Sequence, residues 1–286
     1  MVEGDVDALI GALVADLQQV PGVVAIVLGG SRARGTHTAQ SDVDLALYYR
    51  PDQPLDLTRL GALATAVDDA QRPNVIIAIG DWGPWINGGG WLTVRALAVD
   101  LLYRDLRKVG EVVQECRAGR PRIAYQPGHP HGFISAIYLA EIALCRVLWD
   151  PAGVIATLKR TAIPYPPGLK AALIRQFFWE ADFALKVAEK AIPRQDVSYI
   201  VGCCFRSVSC LIQTLFALND CYWMNEKGAV ALASAFPLTP PRLAERINAS
   251  FQKLAPSRDA LALAIAELAQ LGAETAELLA QVSPAT

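Results

Sequence analysis

The stretch from Leu28 to Ala46 combines glycines, a serine, arginines and paired acids at a spacing that suits a catalytic site. Its sequence is LGGSRARGTHTAQSDVDLA. Asp42 and Asp44 are separated by one residue. On a β-strand, residues two apart face the same side, so the two carboxylates are expected to project together. Because like charges repel, a cation or a proton is expected between them. Mg²⁺ prefers oxygen ligands and retains phosphate oxygens and water, so it suits this position. The pair therefore predicts half of a magnesium site.

A complete site needs at least one more carboxylate. Two metal ions about 3.5–4 Å apart can clamp the attacking and leaving oxygens of a phosphoryl displacement. Asp100, in AVDLL, lies on another predicted strand and is the natural supplier. An Asp with strand-forming apolar neighbours is otherwise out of place in a sheet.

The residues before the Asp pair suit a phosphate. Gly29 and Gly30 let the backbone approach a ligand closely. Ser31 opens a predicted helical turn with exposed N–H groups, which favours an anion, and Arg32 and Arg34 add positive charge. Each feature has an ordinary structural explanation: a plain strand-to-helix turn, a solvated strand edge, a capped strand end. Together, in this order and on predicted strands, they favour a functional site.

These residues resemble the DNA polymerase β-like nucleotidyltransferase superfamily. The resemblance rests on Gly30-Ser31, Asp42-Val43-Asp44 and the later Asp100, and it covers about residues 20–105. The second half is similar in architecture to the helical domain of antibiotic nucleotidyltransferases of the kanamycin, streptomycin and lincosamide type.

The resemblance implies the reaction. An NTP, often ATP, loses pyrophosphate, and its nucleoside monophosphate joins an acceptor hydroxyl. Asp42, Asp44 and Asp100 would hold two Mg²⁺ ions as catalytic and metal-binding residues. The triphosphate would lie against Gly30 and Ser31. The full set of expected nucleotide-binding residues is Gly29, Gly30, Ser31, Arg32, Arg34, Ser41 and Lys227. The general base stays open among Asp100, Glu141 and Asp182.

The pattern of elements predicts an α+β fold with a small mixed-sheet domain followed by an all-α helical bundle. We expect a nucleotidyltransferase domain at residues 1–120, a Pro- and Gly-rich linker at 121–132 and the bundle at 133–286. Apolar runs predict strands at 23–28, 42–49, 75–79 and 97–103. Apolar residues on most faces predict one helix over 133–149.

Composition bounds the function classes. The chain has 286 residues, 26 Lys plus Arg and 28 Asp plus Glu, for a formal charge of −2, so bulk nucleic acid is not an expected partner. Hydrophobic residues make up 53%, which suits a large core and leaves room for a homodimer. The stretch 200–218 is long enough to span a membrane, but Arg206 near its middle favours a buried helix. The six Cys have neither CxxC spacing nor a disulfide-like pattern, and the N-terminus does not resemble a signal peptide, so a cytoplasmic protein is expected.

Two further segments allow two interpretations each. Trp82, Trp85 and Trp91 crowd a Gly-rich loop, where they could stack a base or line an acceptor pocket, or anchor the loop on the core. Residues 219–228 form an interhelix turn with Asn225 as N-cap, or bring Lys227 to the phosphates.

The leading hypothesis is thus NMP transfer to a small hydroxylated acceptor, with an antibiotic as one acceptor class. The alternatives are nucleotidylation of a protein or tRNA, or a catalytically idle nucleotide-binding or antitoxin-like module. The three acids favour an active enzyme, because a binding module has no need for them.

Overall fold

The computed structural model describes residues 3–282 and confirms the predicted fold class. A five-stranded mixed sheet forms in the N-terminal region, and several long helices follow. The strands are β1 Val23–Leu28, β2 Val43–Tyr49, β3 Gly89–Val94, β4 Leu97–Asp105, β5 Ile123–Ala124, β6 Phe133–Ile134 and β7 Arg146–Trp149. The helices are α1 Glu3–Leu17, α2 Gly30–Ala33, α3 Leu57–Val67, α4 Leu106–Arg117, α5 Ala136–Leu144, α6 Val154–Ala162, α7 Pro167–Ala191, α8 Val197–Leu218, α9 Ala229–Ala233, α10 Leu243–Gln252 and α11 Arg258–Val282.

The sheet has the strand order β3-β4-β2-β1-β7. Strands β2 and β4 pair in parallel, and every other pair in this sheet is antiparallel. The parallel pair matters for the site, because residues at the same level on parallel strands place their side chains on the same face.

One face of the sheet packs on the main hydrophobic core. Alternate strand residues such as Leu45, Leu47 and Val99 are buried there against the apolar stripe of α1 and against Leu60 of α3. Helix α3 begins where the Asp56 carboxylate accepts a hydrogen bond from the Arg59 N–H at 2.9 Å. This alternation leaves the intervening residues, Asp44 among them, on the opposite face.

Helix α5 covers the opposite face near the C-terminal ends of β2 and β4. Arg104 of β4 is 1% exposed and forms a bidentate ion pair with Glu141 of α5, at 2.6 and 2.8 Å. Tyr48 of β2 is buried beside this pair, and its pKa is raised by burial and by the Glu141 carboxylate. A buried arginine is tolerated here because both of its charge-bearing edges find acceptors.

The prediction of a strand at 75–79 is wrong. Asn74 has a positive φ of 58°, and the stretch makes only the isolated bridge of Ile76 with Gly90. The strand forms instead at Gly89–Val94, which begins within the Gly-rich segment expected to be a loop. A Cβ on Gly90 would meet the Val75 carbonyl oxygen at 2.7 Å, so the two segments approach closely only because position 90 is glycine.

The single helix predicted over 133–149 is also wrong. The Lys159 ammonium donates to the carbonyls of Ala143 and Cys145, at 3.0 and 2.6 Å, where α5 ends. Such a donor satisfies carbonyls that a longer helix would bond internally. The following residues form β7, which extends the sheet beyond β1.

The chain divides into two compact units. One runs to Glu115 and takes in Tyr138–Pro164, and the other combines Cys116–Ile137 with the chain from Tyr165 onward. The expected linker, residues 121–132, lies within the second unit and contributes β5. The domain boundaries at 120 and 133 stay predictions.

The second unit is built around two long helices, α7 and α8. Helix α8 begins with Asp196 accepting a hydrogen bond from the Tyr199 N–H at 3.2 Å. By length and composition it is apolar enough to cross a bilayer, but 72% of its apolar window is buried within the protein. Arg206 is satisfied internally, since its Nε donates to the Glu180 carboxylate at 2.7 Å. This burial favours the interpretation as a core helix.

Candidate functional site

Two of the three acids expected at the site lie at one level of the sheet. Asp44 of β2 and Asp100 of β4 are direct partners in the parallel ladder. Both are half-buried, and their strand neighbours turn to the core on the other face. The next strand continues the level, because Trp91 of β3 is the antiparallel partner of Asp100. On the other side, the Gly29 N–H donates to the Asp44 carbonyl at 2.8 Å. We call Gly29, Asp44, Asp100 and Trp91 the site row.

The acids of the site row influence one another electrostatically. The pKa of Asp100 is raised from 3.8 to about 6, first by burial and then by the charges of Asp44 and Asp42. Asp42 is exposed and lies one residue before β2. The Asp44 and Asp42 carboxylates are therefore close enough to Asp100 to oppose its ionisation, and a negative local field of this kind attracts a cation.

The turn after β1 is shaped around Asp44. Gly30 has a φ of +61°, a conformation that favours glycine. A Cβ placed there would lie 2.8 Å from the Asp44 Cγ and closer still to its Oδ2. The carboxylate therefore occupies space that only glycine leaves open.

Arg32 holds the backbone ahead of the Asp pair. Its Nη2 donates to the Ser41 carbonyl at 2.6 Å, and its Nε lies 3.1 Å from the carbonyls of Ser41 and Asp42. The Ser41 hydroxyl in turn accepts a hydrogen bond from the Thr38 N–H at 2.9 Å. These contacts give Arg32 and Ser41 a role in ordering the loop, which the sequence pattern did not indicate.

The remaining predicted nucleotide residues are placed differently. The Ser31 carbonyl accepts a hydrogen bond from the Thr36 N–H at 3.0 Å, which closes the turn. Arg34 is exposed, and its Nε donates to the Gly30 carbonyl at 3.2 Å. Lys227 is exposed in the second unit, where its N–H donates to Asn225 Oδ1 at 3.0 Å. Helix α9 is preceded by Gly228 rather than by an Asn225 cap.

The donor set of the site row fits a hard divalent cation. Carboxylate oxygens are the ligands that Mg²⁺ takes, and a cation would relieve the repulsion that raises the pKa of Asp100. Among the residues that the structure describes, no three His, Cys, Asp or Glu side chains form a complete metal-binding cluster. Mg²⁺ commonly binds through one or two carboxylates together with substrate phosphates, which is the arrangement these residues suit.

Two of the acids considered as general base have other partners. Both carboxylate oxygens of Glu141 accept from Arg104. Asp182 is 61% exposed on α7 and pairs with Lys186 at 2.5 Å. Of the three acids, Asp100 is the one that belongs to the site row.

The three tryptophans of the Gly-rich segment separate into two kinds. Trp85 is buried, its carbonyl accepts from the Tyr138 hydroxyl at 2.5 Å, and the Lys108 ammonium lies 4.6 Å from its ring centroid. It anchors the loop. Trp82 and Trp91 instead stack on each other with centroids 4.5 Å apart, and Trp91 is 60% exposed. The three tryptophans are close together in the sequence, but the pairing of Trp91 with Asp100 in the sheet could not be read from it.

Comparison with known proteins identifies the N-terminal part of the chain. Residues 10–82 match the model of the nucleotidyltransferase domain, a range that includes Gly30, Asp42 and Asp44 and ends before Asp100. No curated protein sequence matches significantly. Among solved structures, a nucleotidyltransferase-like protein from Exiguobacterium sibiricum 255-15 superposes with a TM-score of 0.44 at 11% identity, covering 95% of this chain and 77% of that one. Residues 10–82 are therefore a nucleotidyltransferase domain of the polymerase β-like superfamily.

Proposed function

We propose that this protein is a Mg²⁺-dependent transferase that moves a nucleoside monophosphate from an NTP, with ATP as the expected donor, to a hydroxyl of a small acceptor. The observation that carries the proposal is the in-register pairing of Asp44 and Asp100 beside the Gly29–Gly30 turn. It occurs in a chain whose residues 10–82 match a nucleotidyltransferase domain.

The reaction requires one bond to form and one to break at the α-phosphorus. The acceptor oxygen attacks, the bond to the oxygen bridging the β-phosphate breaks, and pyrophosphate leaves with the electron pair. Asp42, Asp44 and Asp100 would hold two Mg²⁺ ions, which when bound neutralise the phosphate oxygens. Gly29 and Gly30 expose backbone to the triphosphate.

The other proposed residues position these groups. Arg34 adds positive charge near the leaving pyrophosphate, while Arg32 fixes the carbonyls of Ser41 and Asp42 and with them the Asp42 carboxylate. We assign the hydroxyl proton to Asp100, because Glu141 and Asp182 are committed to other partners. Ser31, Ser41 and Lys227 remain proposed contacts of the nucleotide.

The biological setting is part of the proposal. The acceptor class that the sequence resemblance implies is an aminoglycoside or lincosamide antibiotic. All six cysteines are free thiols, which supports a cytoplasmic location. We expect neither a membrane nor bulk nucleic acid as a partner, and a homodimer remains compatible with the apolar content.

The test uses ATP labelled at the α-phosphate, with Mg²⁺ and a panel of hydroxylated small molecules. Label should move to a small molecule in the wild type, and Asp44→Asn and Asp100→Asn should each reduce transfer by about 100-fold or more. Asp182→Asn, an exposed acid with a salt-bridge partner, is the matched control and should transfer normally.

The other outcomes separate the alternatives. Label on the protein itself or on added tRNA would favour nucleotidylation of a macromolecule. Nucleotide binding without transfer to any acceptor, unaltered in Asp44→Asn, would favour an idle binding module and overturn the proposal.

A further inference from the structure

The Trp82–Trp91 pair is a partly exposed aromatic surface that the proposed chemistry does not use. The two indoles stack with centroids 4.5 Å apart and an interplanar angle of 25°. Trp91 is 60% exposed and Trp82 is half-buried, although tryptophan side chains are usually largely buried. Exposed apolar surface beside a candidate site suits ligand binding when it is held in a fixed place.

The pair is held in a fixed place. The backbone of Trp91 is bonded into the sheet as the partner of Asp100, and its carbonyl accepts from Arg72 Nη2 at 3.2 Å. Arg72 is itself anchored by Asp68, at 2.6 and 2.9 Å. Trp82 lies over Gly89, where a Cβ would come within 2.9 Å of its Cζ3. Glycine at position 89 thus makes room for the second indole beside the first.

The location of the pair follows from the order of the site row. Gly29 lies at one end, Asp44 and Asp100 are in the middle, and Trp91 is at the other end. Neighbouring strands are about 4.8 Å apart, so Trp91 lies about 5 Å beyond Asp100. Its indole is on the carboxylate face, because its neighbour Leu92 belongs to the core on the other face.

In-line transfer then decides which substrate meets the pair. The leaving oxygen and the attacking oxygen stand on opposite sides of the α-phosphorus. If pyrophosphate leaves toward the Gly29–Gly30 turn, as the proposed function has it, the acceptor hydroxyl must arrive from the side of Asp100 and Trp91. We propose that Trp82 and Trp91 form an acceptor platform, on which a ring of the hydroxylated acceptor stacks its apolar face. This inference rests on the proposed function and adds the chemical class of its acceptor.

A ring-bearing acceptor suits the geometry. A hydroxyl carried directly on a ring, or one bond away from it, can point toward Asp100 on the adjacent strand while the ring stays in contact with the indoles. Stacking tolerates variation in the ring, and the position of the hydroxyl selects the site of transfer. An acyclic polyol gains little from such a surface.

The closing experiment measures binding without turnover. Tryptophan fluorescence is titrated, in the absence of ATP, with kanamycin and lincomycin as ring-bearing probes and with glycerol as the acyclic probe. Mg²⁺-ATP and Mg²⁺-tripolyphosphate are titrated separately. The variants are Trp91→Ala and, as the matched control, Trp179→Ala, whose indole is 63% exposed and stacks on Phe183 at 5.1 Å.

At least one ring probe should quench the wild type and Trp179→Ala, and its apparent Kd should rise about tenfold or more in Trp91→Ala. Glycerol should have no effect, and the Kd for Mg²⁺-ATP should be the same in all three proteins. For an acceptor that takes label, Trp91→Ala should raise the acceptor KM by a similar factor and leave the KM for ATP unchanged.

Two results would overturn the platform. The first is a wild type whose fluorescence responds to no ring probe. The second is a Trp91→Ala variant that loses affinity for Mg²⁺-ATP but not for tripolyphosphate, which would mean that the pair stacks the nucleobase. Ring-probe binding without any transfer of label would instead count against the proposed function, so the two failures are distinguishable.

Discussion

Replacing Gly30 by alanine tests whether the position of the Asp44 carboxylate matters for catalysis. The added Cβ would lie 2.8 Å from Asp44 Cγ and closer to Oδ2, below the roughly 3.0 Å at which unbonded carbon contacts begin. The far end of the side chain can swing away, so the fold survives. The carboxylate must then move by on the order of 1 Å, a displacement that can cost about 100-fold in rate.

Gly35→Ala is the matched control. Gly35 has a φ of +67°, close to the +61° of Gly30, so both alanines adopt the same disfavoured backbone conformation at a cost of about 1 kcal/mol. A Cβ on Gly35 meets nothing within 4 Å. The two variants therefore share the backbone strain and differ in the contact with Asp44.

The assay combines urea unfolding with the rate of label transfer from ATP. Both variants should lose about 1 kcal/mol of stability through the shared backbone strain, and Gly30→Ala should lose more because its Cβ clashes with Asp44. Only Gly30→Ala should also lose about 100-fold in kcat, equivalent to about 2.7 kcal/mol of barrier. In Gly30→Ala/Asp44→Ala, the stability effects should be non-additive, because the second change removes the atoms that clash. Equal transfer rates for Gly30→Ala and Gly35→Ala would show that the position of the Asp44 carboxylate does not limit the rate.

Three further predictions concern the side chains of His131, Glu141 and Arg32. Burial and the Arg206 charge lower the pKa of His131 from 6.5 to about 4. As the pH falls, the unfolded chain therefore takes up this proton before the folded chain does. The free energy of unfolding should fall by about 2 kcal/mol between pH 7 and pH 5. Urea unfolding of His131→Leu should lack this pH-dependent part, and an unchanged slope would contradict the assignment. Glu141→Gln leaves the Arg104 guanidinium buried without its counter-charge and should cost about 3–5 kcal/mol by urea unfolding, and a loss below 1 kcal/mol would contradict it. Arg32→Ala frees the backbone before Asp42 and should lower kcat more than it raises the KM for ATP; the reverse would show that Arg32 binds phosphate directly.

Much of the fold was predictable because local patterns decide it. The strands at Val23–Leu28 and Leu97–Asp105 follow from short apolar runs. The errors lie where long-range contacts decide. The stretch 75–79 has β-branched residues but does not become a strand, because the partner position beside β4 is taken by Gly89–Val94. Likewise, the segment Arg146–Trp149 leaves a helical pattern to pair with β1.

The site shows the same division. The alternation of polar and apolar residues around Asp44 and around Asp100 was enough to put both on one face of a sheet. The register of β2 against β4 could not be read from the sequence, since the two strand patterns also fit pairings in which Asp44 lies beside another residue of β4. The loop-ordering role of Arg32 was also hidden, because its acceptors are backbone carbonyls 9 and 10 residues away.

Four features of this protein could be recognised from its sequence alone: a Gly-Ser turn, three acids on or next to strand patterns, an apolar helical half and a net charge near zero. Those features are local, and side-chain chemistry with helix or strand periodicity is sufficient to recognise them. Tertiary pairing brings Gly29, Asp44, Asp100 and Trp91 into one row, because strand pairing joins residues up to 56 positions apart. The physical reason is that hydrogen-bonded register and core packing are properties of the whole sheet rather than of any one strand.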